Sequence, residues 1–395
     1  MKLVSENNCT GCMACYNTCK NGAIEICQNE KGFYIPQIVG DKCSNCGRCL
    51  ANCPQAGDIC KNDVHSVFAA WNKDLIERRK SSSGGIAFLL AQRHLSTFGI
   101  VYGVGIIDNV VRFIRIDTIE KLHLIQGSKY VQAYVGDIFQ CAKTDLDNGK
   151  QVLFFGTACQ IAGLNKYLGT LYANLTTVDI LCHGAPSPKV FEDYLNNFDK
   201  AIQSINFRCK EHNWTTFDIQ IDFADGSSYK CSKLSDPYMR GFLGELTTNK
   251  VCGSCKYTSK SRVSDITLGD FWGYISESRK YKNTEDGISM VMTNSDKGMH
   301  TFCDIKDDIL WTEKTFEEAA HGNKILVRPF AHSDKYDEFW DCYVKKGYIS
   351  ASKYFKPTKE GAKRMLSLFM NDHAFLLPKP IKTAFYYIKK KVRNG

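Results

Sequence analysis

The stretches CTGCMACYNTCK at residues 9–20 and CSNCGRCLANCP at residues 43–54 decide the first part of the fold. Both contain the pattern C-x2-C-x2-C-x3-C, so the chain begins with an internal repeat of two cysteine quartets. Three cysteines at this spacing can wrap one face of a 4Fe-4S cube, while the fourth points to the neighbouring cluster. The sequence therefore predicts two 4Fe-4S clusters whose ligands are exchanged between the two halves.

Each predicted cluster takes three cysteines from its own half of the repeat and one from the other half. The first cysteine set is Cys9, Cys12, Cys15 and Cys53, and the second cysteine set is Cys43, Cys46, Cys49 and Cys19. The alternative is a pair of zinc sites, but these prefer separated C-x2-C pairs that close a four-ligand shell. Residues 1–62 are therefore predicted to form a small ferredoxin-like module.

Length and composition place the chain among multi-domain globular proteins. It has 395 residues, 44% of them hydrophobic and 24% charged, so two or three domains are expected. Nineteen cysteines at these spacings indicate metal thiolates in a reducing compartment more than disulfides. No apolar run reaches the roughly 18 residues of a membrane span and no secretory pattern is visible, so we expect a cytoplasmic location.

The positive charge is concentrated at the end of the chain. The formal net charge is +9, and residues 356–395 contain ten Lys or Arg against two Asp or Glu. Since the rest is nearly neutral, a nucleic-acid surface is not expected. Residues 381–392 carry apolar side chains at helical spacing, which predicts a basic amphipathic helix. That helix would contact an anionic membrane surface or an acidic partner protein, and packing on its own domain is the alternative.

Beyond the repeat, hydrophobic patterning predicts alternating strands and helices. Strands are expected at residues 100–107, 110–116, 151–155 and 177–181, and helices at residues 86–95 and 160–167. This alternation favours an α/β layer architecture. The serine-glycine run at residues 81–85 precedes a predicted helix and can bind phosphate there, although a plain loop is the alternative.

Four further cysteines lie where a ligand site is common. Cys159 and Cys182 each follow a predicted strand, and Cys252 and Cys255 form a C-x2-C pair. These four are the third cysteine set, and the alternatives for it are a structural zinc or buried thiols that bind nothing. The remaining cysteines lack such spacing and are expected to be packing residues, namely Cys27, Cys60, Cys141, Cys209, Cys231, Cys303 and Cys342.

Six ordered motifs over residues 81–273 resemble the beta subunits of coenzyme F420-reducing hydrogenases and dehydrogenases, a flavin and iron-sulfur family. The motifs are SSSGG at 81–85, GSKYVQ at 127–132, GTACQIAGL at 156–164, LCHGAPSP at 181–188, CGSCKY at 252–257 and DITLGDFWG at 265–273. The resemblance implies a third 4Fe-4S cluster on the third cysteine set. It also implies one flavin beside that cluster, FAD in the first place with FMN as the alternative.

Positions in these motifs are the candidate cofactor-binding residues. They are Ser81, Ser82, Ser83, Gly84, Gly85, Ser128, Lys129, Tyr130, Gly156, Thr157, Asp265, Gly269 and Asp270. Two residues are candidates for catalysis. His183 would donate a proton at the flavin, or else orient its loop through a hydrogen bond. Lys129 would pair with a phosphate or with the reduced ring, or else is an ordinary surface lysine.

These observations together predict an α+β multi-domain protein. Its parts are a small ferredoxin-like module at residues 1–62, a larger α/β flavin-binding domain at residues 63–345 and a basic helical tail at residues 346–395. The expected function is an iron-sulfur flavoprotein oxidoreductase that exchanges a hydride with coenzyme F420 or another small conjugated organic molecule. A redox protein such as a ferredoxin or a catalytic subunit is its expected partner. The alternatives are an electron-transfer subunit without its own substrate and a metal-sensing or structural protein.

Overall fold

The cysteine repeat forms a small module with two short helices and a β-hairpin. The computed structural model describes residues 3–211, 213–274 and 284–355. The helices of the module are α1 (Ala14–Thr18) and α2 (Arg48–Ala51), and its strands are β1 (Ile24–Gln28) and β2 (Tyr34–Ile38). The two strands pair antiparallel. Each helix begins within a cysteine run, so the cysteine spacing also sets the local backbone.

The larger domain alternates strands and helices, as the hydrophobic pattern predicts. Its strands are β3 (Ser66–Asn72), β4 (Ile100–Ile107), β5 (Val110–Ile116), β6 (Val152–Thr157), β7 (Leu175–Ile180), β8 (Ile202–Cys209), β9 (Asp218–Phe223), β10 (Ser228–Ser232), β11 (Ile266–Asp270), β12 (Ser289–Thr293) and β13 (Ile309–Lys314). Its helices are α3 (Leu75–Lys80), α4 (Ile86–Ser96), α5 (Ile138–Asp147), α6 (Ala158–Leu168), α7 (Pro188–Leu195), α8 (Pro237–Leu243), α9 (Asp296–Cys303), α10 (Phe316–Gly322) and α11 (Tyr336–Ala351).

One eight-stranded mixed sheet forms the centre of this domain. Its strand order is β13-β3-β12-β11-β7-β6-β4-β5. The neighbours β11 and β7, β7 and β6, and β6 and β4 are parallel. Their carboxyl ends therefore meet along one edge, which we call the carboxyl edge, and ligand sites commonly form at such an edge. A second sheet of three strands, in the order β10-β9-β8, lies in the same domain.

The central strands are almost continuously apolar because both faces of the sheet are covered. Five of the six residues of β6 are buried, and all five of β12 are buried. Strands β4 and β5 have the predicted bounds. Helix α6 begins at Ala158, two residues before the predicted start, since Thr157 caps it and exchanges hydrogen bonds with Gln160. Cys159 therefore lies in the first turn of a helix and not in a loop.

The N-terminal module shares its hydrophobic core with the larger domain. Cys12, Met13, Ala14 and Phe33 belong to the same buried cluster as side chains of α5 and α6. Polar contacts add to this packing. The buried amide of Gln132 accepts a hydrogen bond from the Tyr34 backbone (2.8 Å) and donates one to the Thr10 carbonyl (3.2 Å). The module is thus packed directly onto the sheet domain.

The basic amphipathic helix expected at residues 381–392 lies outside the described residues. The boundary proposed after residue 345 remains a prediction, and α11 runs through that position with a break in helical geometry at Gly347.

Among the described residues, no helix combines the length and apolar character needed to cross a bilayer. Cys60 and Cys303 are exposed, so the prediction that they are packing residues is wrong.

Candidate functional site

The structure brings the first cysteine set together across the two halves of the repeat. Cys9 and Cys12 are buried, and the Gly11 amide donates a hydrogen bond to the Cys9 sulfur (3.4 Å). Burial raises the pKa of the Cys9 thiol to about 11 and that of Cys12 to about 12, and the nearby Cys53 also raises both. Cys53 comes from the other half, as crossed ligation requires.

The second cysteine set has the same spacing but lies at the surface. Cys46 is exposed, and hydrogen bonding to the Arg48 backbone amide lowers the pKa of its thiol. Burial raises the pKa of Cys49, and the neighbouring Cys19 and Cys43 raise it further. Cys19 belongs to the other half of the repeat, so this set is also crossed. The Ala23 amide donates a hydrogen bond to the Cys19 sulfur (3.3 Å).

The third cysteine set assembles at the carboxyl edge from three separate segments. Cys159 lies in the first turn of α6, Cys182 follows β7, and Cys252 and Cys255 lie in and just after a short 3-10 helix. Burial raises the pKa of Cys159 and of Cys252 to about 12. It raises that of Cys182 well above its usual range, and the other three thiols of the set raise it further.

Four half-buried thiols gathered from separate segments are a suitable donor set for a 4Fe-4S cluster, and the cost of removing them from water as anions is relieved when they bind iron. The residues present therefore fit a third cluster. In the described part of the chain, no three His, Cys, Asp or Glu side chains lie close enough together to hold a single metal ion.

A buried ion pair that the sequence analysis did not identify lies behind the cysteines. The Arg262 guanidinium is 2.8 Å from the Asp179 carboxylate, and the Arg262 and Asp179 side chains are 3% and 0% exposed, respectively. Arg262 also donates to the Tyr257 carbonyl (2.8 Å). Removing one partner of such a pair typically costs about 3–5 kcal/mol because the other charge stays buried. The pair therefore fixes the segment after the C-x2-C pair.

A cavity of about 1980 Å³ opens beside the third cysteine set. Cys159, Cys182 and His183 line it, together with most of the predicted cofactor-binding residues: Ser81, Ser82, Ser83, Gly85, Ser128, Lys129, Tyr130, Gly156, Thr157, Gly269 and Asp270. The structure thus brings together five segments that are far apart in the chain. They meet because β6, β7 and β11 end at the same edge of the sheet.

Two predicted residues do not reach the cavity. Gly84 belongs to the serine-glycine run but does not line the cavity, and its amide donates to the Ser289 hydroxyl (3.0 Å). Asp265 precedes β11 and therefore lies at the opposite edge. Its carboxylate accepts hydrogen bonds from the Thr177 amide (2.8 Å) and the Ser295 hydroxyl (2.7 Å). These contacts join neighbouring strands, which is a structural role.

The serine loop at residues 81–85 is held in place by its neighbours. The Ser128 amide and hydroxyl donate to the Ser82 hydroxyl at 2.6 and 2.7 Å. The buried Lys210 amine donates to the Ser83 carbonyl (3.0 Å) and to two further backbone carbonyls. Gly85 begins α4 with a φ of 83°, which favours glycine. Lys210 was not predicted because its neighbours in sequence form no recognisable motif.

Lys129 lies on the cavity wall with its amine turned towards backbone carbonyls. The amine donates to the carbonyls of Gln126 (2.8 Å) and Gly127 (3.1 Å). Removal from solvent lowers the pKa of Lys129 to about 7. An ammonium that loses solvent in this way is stabilised by an anionic ligand, which supports the interpretation of Lys129 as a ligand-binding residue.

Arg208 and Asp270 form a second buried pair, 2.8 Å apart, on the cavity wall. Among the described residues, the Arg208 Nε and the Asp270 Oδ1 have no hydrogen-bond partner. Buried polar atoms of this kind usually find a partner in a ligand or water. Trp272 also lines the cavity and stacks on Trp214 with ring centres 4.7 Å apart. Asp270 was predicted, and Arg208 was missed.

His183 stands between the third cysteine set and the aromatic end of the cavity. Its ring stacks on Phe330 with centres 4.9 Å apart, and its Nε2 lies 3.5 Å from a Glu245 carboxylate oxygen. The side chain is 43% exposed. The ring is thus oriented by an aromatic and a carboxylate while one side stays open.

The cavity carries an excess of positive charge. Its lining includes five cations and two carboxylates, namely Lys129, Arg208, Lys233, Lys324, Arg328, Asp270 and Glu245. One carboxylate is already paired with Arg208. Such a lining favours anionic ligands. Together with the unpaired atoms of the Arg208–Asp270 pair, it fits a phosphate-bearing cofactor such as a flavin nucleotide.

Two segments of the chain match models of known protein families. Residues 8–56 match the model of the 4Fe-4S dicluster domain. Residues 149–319 match the model of the carboxyl-terminal part of the coenzyme F420 hydrogenase/dehydrogenase beta chain.

Two individual proteins are similar to parts of the chain. One component of an ion-translocating oxidoreductase complex from Methanosarcina acetivorans is 38% identical over 55 residues, 14% of this chain and 19% of that relative. A chain of the F420-reducing NiFe hydrogenase complex from Methanosarcina barkeri aligns with 16% identity, covering 74% of this chain and 91% of that chain, at a TM-score of 0.45.

The three cysteine sets fall within the matched regions, whereas the motifs at residues 81–85 and 127–132 lie outside them. The first and second cysteine sets lie within residues 8–56, and the third set lies within residues 149–319. The chain therefore joins a segment that matches the 4Fe-4S dicluster domain to a segment that matches the coenzyme F420 hydrogenase/dehydrogenase beta subunit family, the pattern of an iron-sulfur oxidoreductase that transfers electrons.

Proposed function

We propose that the chain is a flavin-dependent iron-sulfur oxidoreductase that passes electrons between its clusters and a small organic substrate. The observation that carries the proposal is that Cys159 and Cys182 line the same cavity as the serine loop and Lys129. A third cluster at that wall would stand directly beside a flavin. We place the protein in the cytoplasm, where its thiolates stay reduced.

The size of the cavity supports two ligands. Typical small-molecule sites measure about 300–1,000 Å³, and this cavity measures about 1980 Å³. A flavin nucleotide and a substrate would therefore fit together. The positive lining favours a substrate with carboxylate or phosphate groups, and coenzyme F420 or another conjugated anionic molecule has the required chemistry.

When bound, a flavin exchanges a hydride with an organic molecule, and 4Fe-4S clusters carry single electrons. The chain supplies position and charge. In the serine loop the Ser81 and Ser83 hydroxyls donate to backbone carbonyls, so the Ser82 hydroxyl, fixed by Ser128, is the one placed to donate to phosphate. Lys129 has an amine with a pKa of about 7 at the wall, so it can hold or release a proton near neutral pH. His183, held by Glu245 and Phe330, is the candidate proton donor to the substrate.

A second function remains open, that of an electron-transfer subunit without its own substrate. The exposed second cysteine set favours it, since Cys46 and Leu50 are accessible to a partner protein. In either case a redox protein such as a ferredoxin or a catalytic subunit would be the partner. Both functions allow electrons to flow in either direction between that partner and the clusters.

The test is an anaerobic reduction and reoxidation experiment. The purified holoprotein is reduced with dithionite, freed of excess reductant, and mixed with coenzyme F420 or with other conjugated anionic acceptors while flavin absorbance is followed. We expect rapid reoxidation of the flavin by at least one acceptor. Reoxidation by redox proteins alone would contradict the enzyme function and support the alternative of an electron-transfer subunit.

A matched pair of lysine variants sharpens the test. Lys129→Met should slow reoxidation by the organic acceptor at least tenfold, about 1.4 kcal/mol in the barrier, with unchanged iron content. Lys121→Met removes an exposed lysine that pairs with Asp117 and should behave as the wild type. Equal rates for the two variants would remove Lys129 from the site.

A further inference from the structure

Gly163 is a glycine in the interior of helix α6, where the chain normally avoids glycine. Its backbone freedom makes a helix less stable than alanine would. The structure supplies a reason for its presence. A Cβ built on Gly163 would lie 3.0 Å from the Cβ and 3.1 Å from the sulfur of Cys12, closer than real Cβ atoms comfortably approach. Cys12 therefore occupies the space that a side chain at position 163 would need.

Gly163 and Cys159 lie on the same face of α6. They are four residues apart in one helix, which places them one above the other. Cys12 belongs to the first cysteine set and Cys159 to the third. The contact at Gly163 therefore brings a ligand of one set beside a ligand of the other, and helix α1 packs on α6 at this point.

Tyr257 closes the same junction from the other side. The side chain is buried, and its hydroxyl accepts a hydrogen bond from the Gln55 amide (3.3 Å). Burial raises the pKa of Tyr257, and the thiols of Cys159 and Cys12 are the next largest influences. Tyr257 is thus adjacent to both sets.

The second cysteine set lies away from this junction. Within the described residues, the thiol from outside the third set that acts most strongly on Cys159 is Cys12. Cys46 and its neighbours Ser44, Asn45 and Arg48 are exposed. The three sets therefore form a series from the surface, through the first set, to the cavity.

We propose that Gly163 is a positioning residue that allows the first cluster to stand directly against the third, so that the first cluster, and not the second, exchanges electrons with the third. The proposal rests on the third cluster of the proposed function. Each step moves one electron: the cluster that gives it is oxidised and the cluster that receives it is reduced, and no bond is made or broken. An external redox protein supplies or removes electrons at the second cluster.

The test is electron paramagnetic resonance of the fully reduced, full-length holoprotein. In the wild type we expect a spin–spin interaction that splits or broadens the signal of the third cluster. In Gly163→Ala, where Cys12 must move, that interaction should weaken and the midpoint potential of the first cluster should shift. The matched control is Gly57→Ala, because a Cβ at Gly57 has nothing within 4 Å. It should reproduce the wild-type spectrum.

Two further variants decide the order even if Gly163→Ala does not fold. Cys46→Ser, which disables the second set, should keep the interaction on the third cluster, while Cys15→Ser, which disables the first, should abolish it. The reverse pattern would overturn the proposal, as would an unchanged spectrum in a folded Gly163→Ala. Failure of the proposed function is distinguishable, because it shows in the acceptor assay, and absence of the third cluster itself shows as about eight irons per chain in place of about twelve.

Discussion

The first half of the cysteine repeat places Gly11 and Met13 in the left-handed region, with φ of 70° and 58°, and the second half places Asn45 and Gly47 there, with φ of 54° and 78°. These are equivalent positions, so the cysteine spacing gives both halves the same backbone. The residues differ because the surroundings differ. Met13 is buried against the larger domain, whereas Asn45 is exposed.

This difference shows what a local repeat specifies and what it leaves open. A left-handed conformation costs an ordinary residue about 1–2 kcal/mol. Met13 accepts that cost since its side chain fills the shared core and its sulfur accepts a hydrogen bond from the Gly136 amide (3.1 Å). The equivalent position in the second half is Gly47, and glycine avoids the cost. Contact with the larger domain therefore makes the two clusters unequal.

The largest expected effect of this inequality is on the order of iron loss. When the anaerobic holoprotein is incubated with a chelator, about four irons, one cubane, should leave first. They should come from the second set, because Cys46 is exposed and Cys12 is buried. Timed iron release measured by chelator absorbance tests this, and Cys46→Ser should lack the fast phase. Simultaneous loss of iron from both halves would contradict the claim that the two clusters are unequal.

The next effect concerns Met13 itself. Met13→Gly relieves the left-handed strain but removes a buried side chain, and truncating a buried methionine to alanine typically costs about 2–5 kcal/mol. We expect a net loss of about 1–4 kcal/mol in unfolding free energy. Chemical denaturation of the reconstituted protein measures it. Asn45→Gly is the control and should change stability by less than about 0.5 kcal/mol. Equal losses would contradict the unequal burial of the halves.

Gln132 should matter somewhat less, and only through the first half. Gln132→Ala leaves the Tyr34 amide and the Thr10 carbonyl without their side-chain partner. Leaving buried groups unpaired costs about 1–3 kcal/mol. Gln140→Ala changes an exposed position on α5 and should be neutral within about 0.5 kcal/mol. Thermal unfolding compares the two, and a neutral Gln132→Ala would show that the docking of the module does not depend on this amide.

The smallest effect is expected at Gly47. Gly47→Ala introduces the left-handed penalty of about 1 kcal/mol at an N-cap near the surface. We expect a slightly lower unfolding free energy and an unchanged first cluster, as seen by its paramagnetic signal. A change in the first cluster would mean that the halves are coupled more tightly than their packing indicates.

The sequence predicted the architecture well wherever a periodic pattern or a spaced motif was present. Strands β4 and β5 and the helix after the serine loop agree with the structure, while the assignment of twelve cysteines to three clusters stays a prediction. Periodicity and ligand spacing are local properties that the sequence shows directly. Asp265 shows the limit, because its motif neighbours Gly269 and Asp270 reach the cavity, but a strand separates it from them and carries it to the opposite edge.

Contacts between distant segments were not predictable in this way. Gln132, Arg208, Lys210 and Tyr257 act through partners far away in the chain, and nothing in their own neighbourhood marks them. The same holds for Gly163, whose role depends on Cys12. The sequence also could not tell which half of the repeat faces the cavity, since the two halves have the same cysteine spacing.

The most direct measurement is the content of iron, acid-labile sulfide, zinc and flavin in anaerobically purified and reconstituted protein. We expect about twelve irons, as three cubanes, and one flavin per chain. A protein that holds about eight irons and no flavin would retain the N-terminal clusters but contradict the third cluster and the cofactor cavity, and zinc in place of iron would contradict all three.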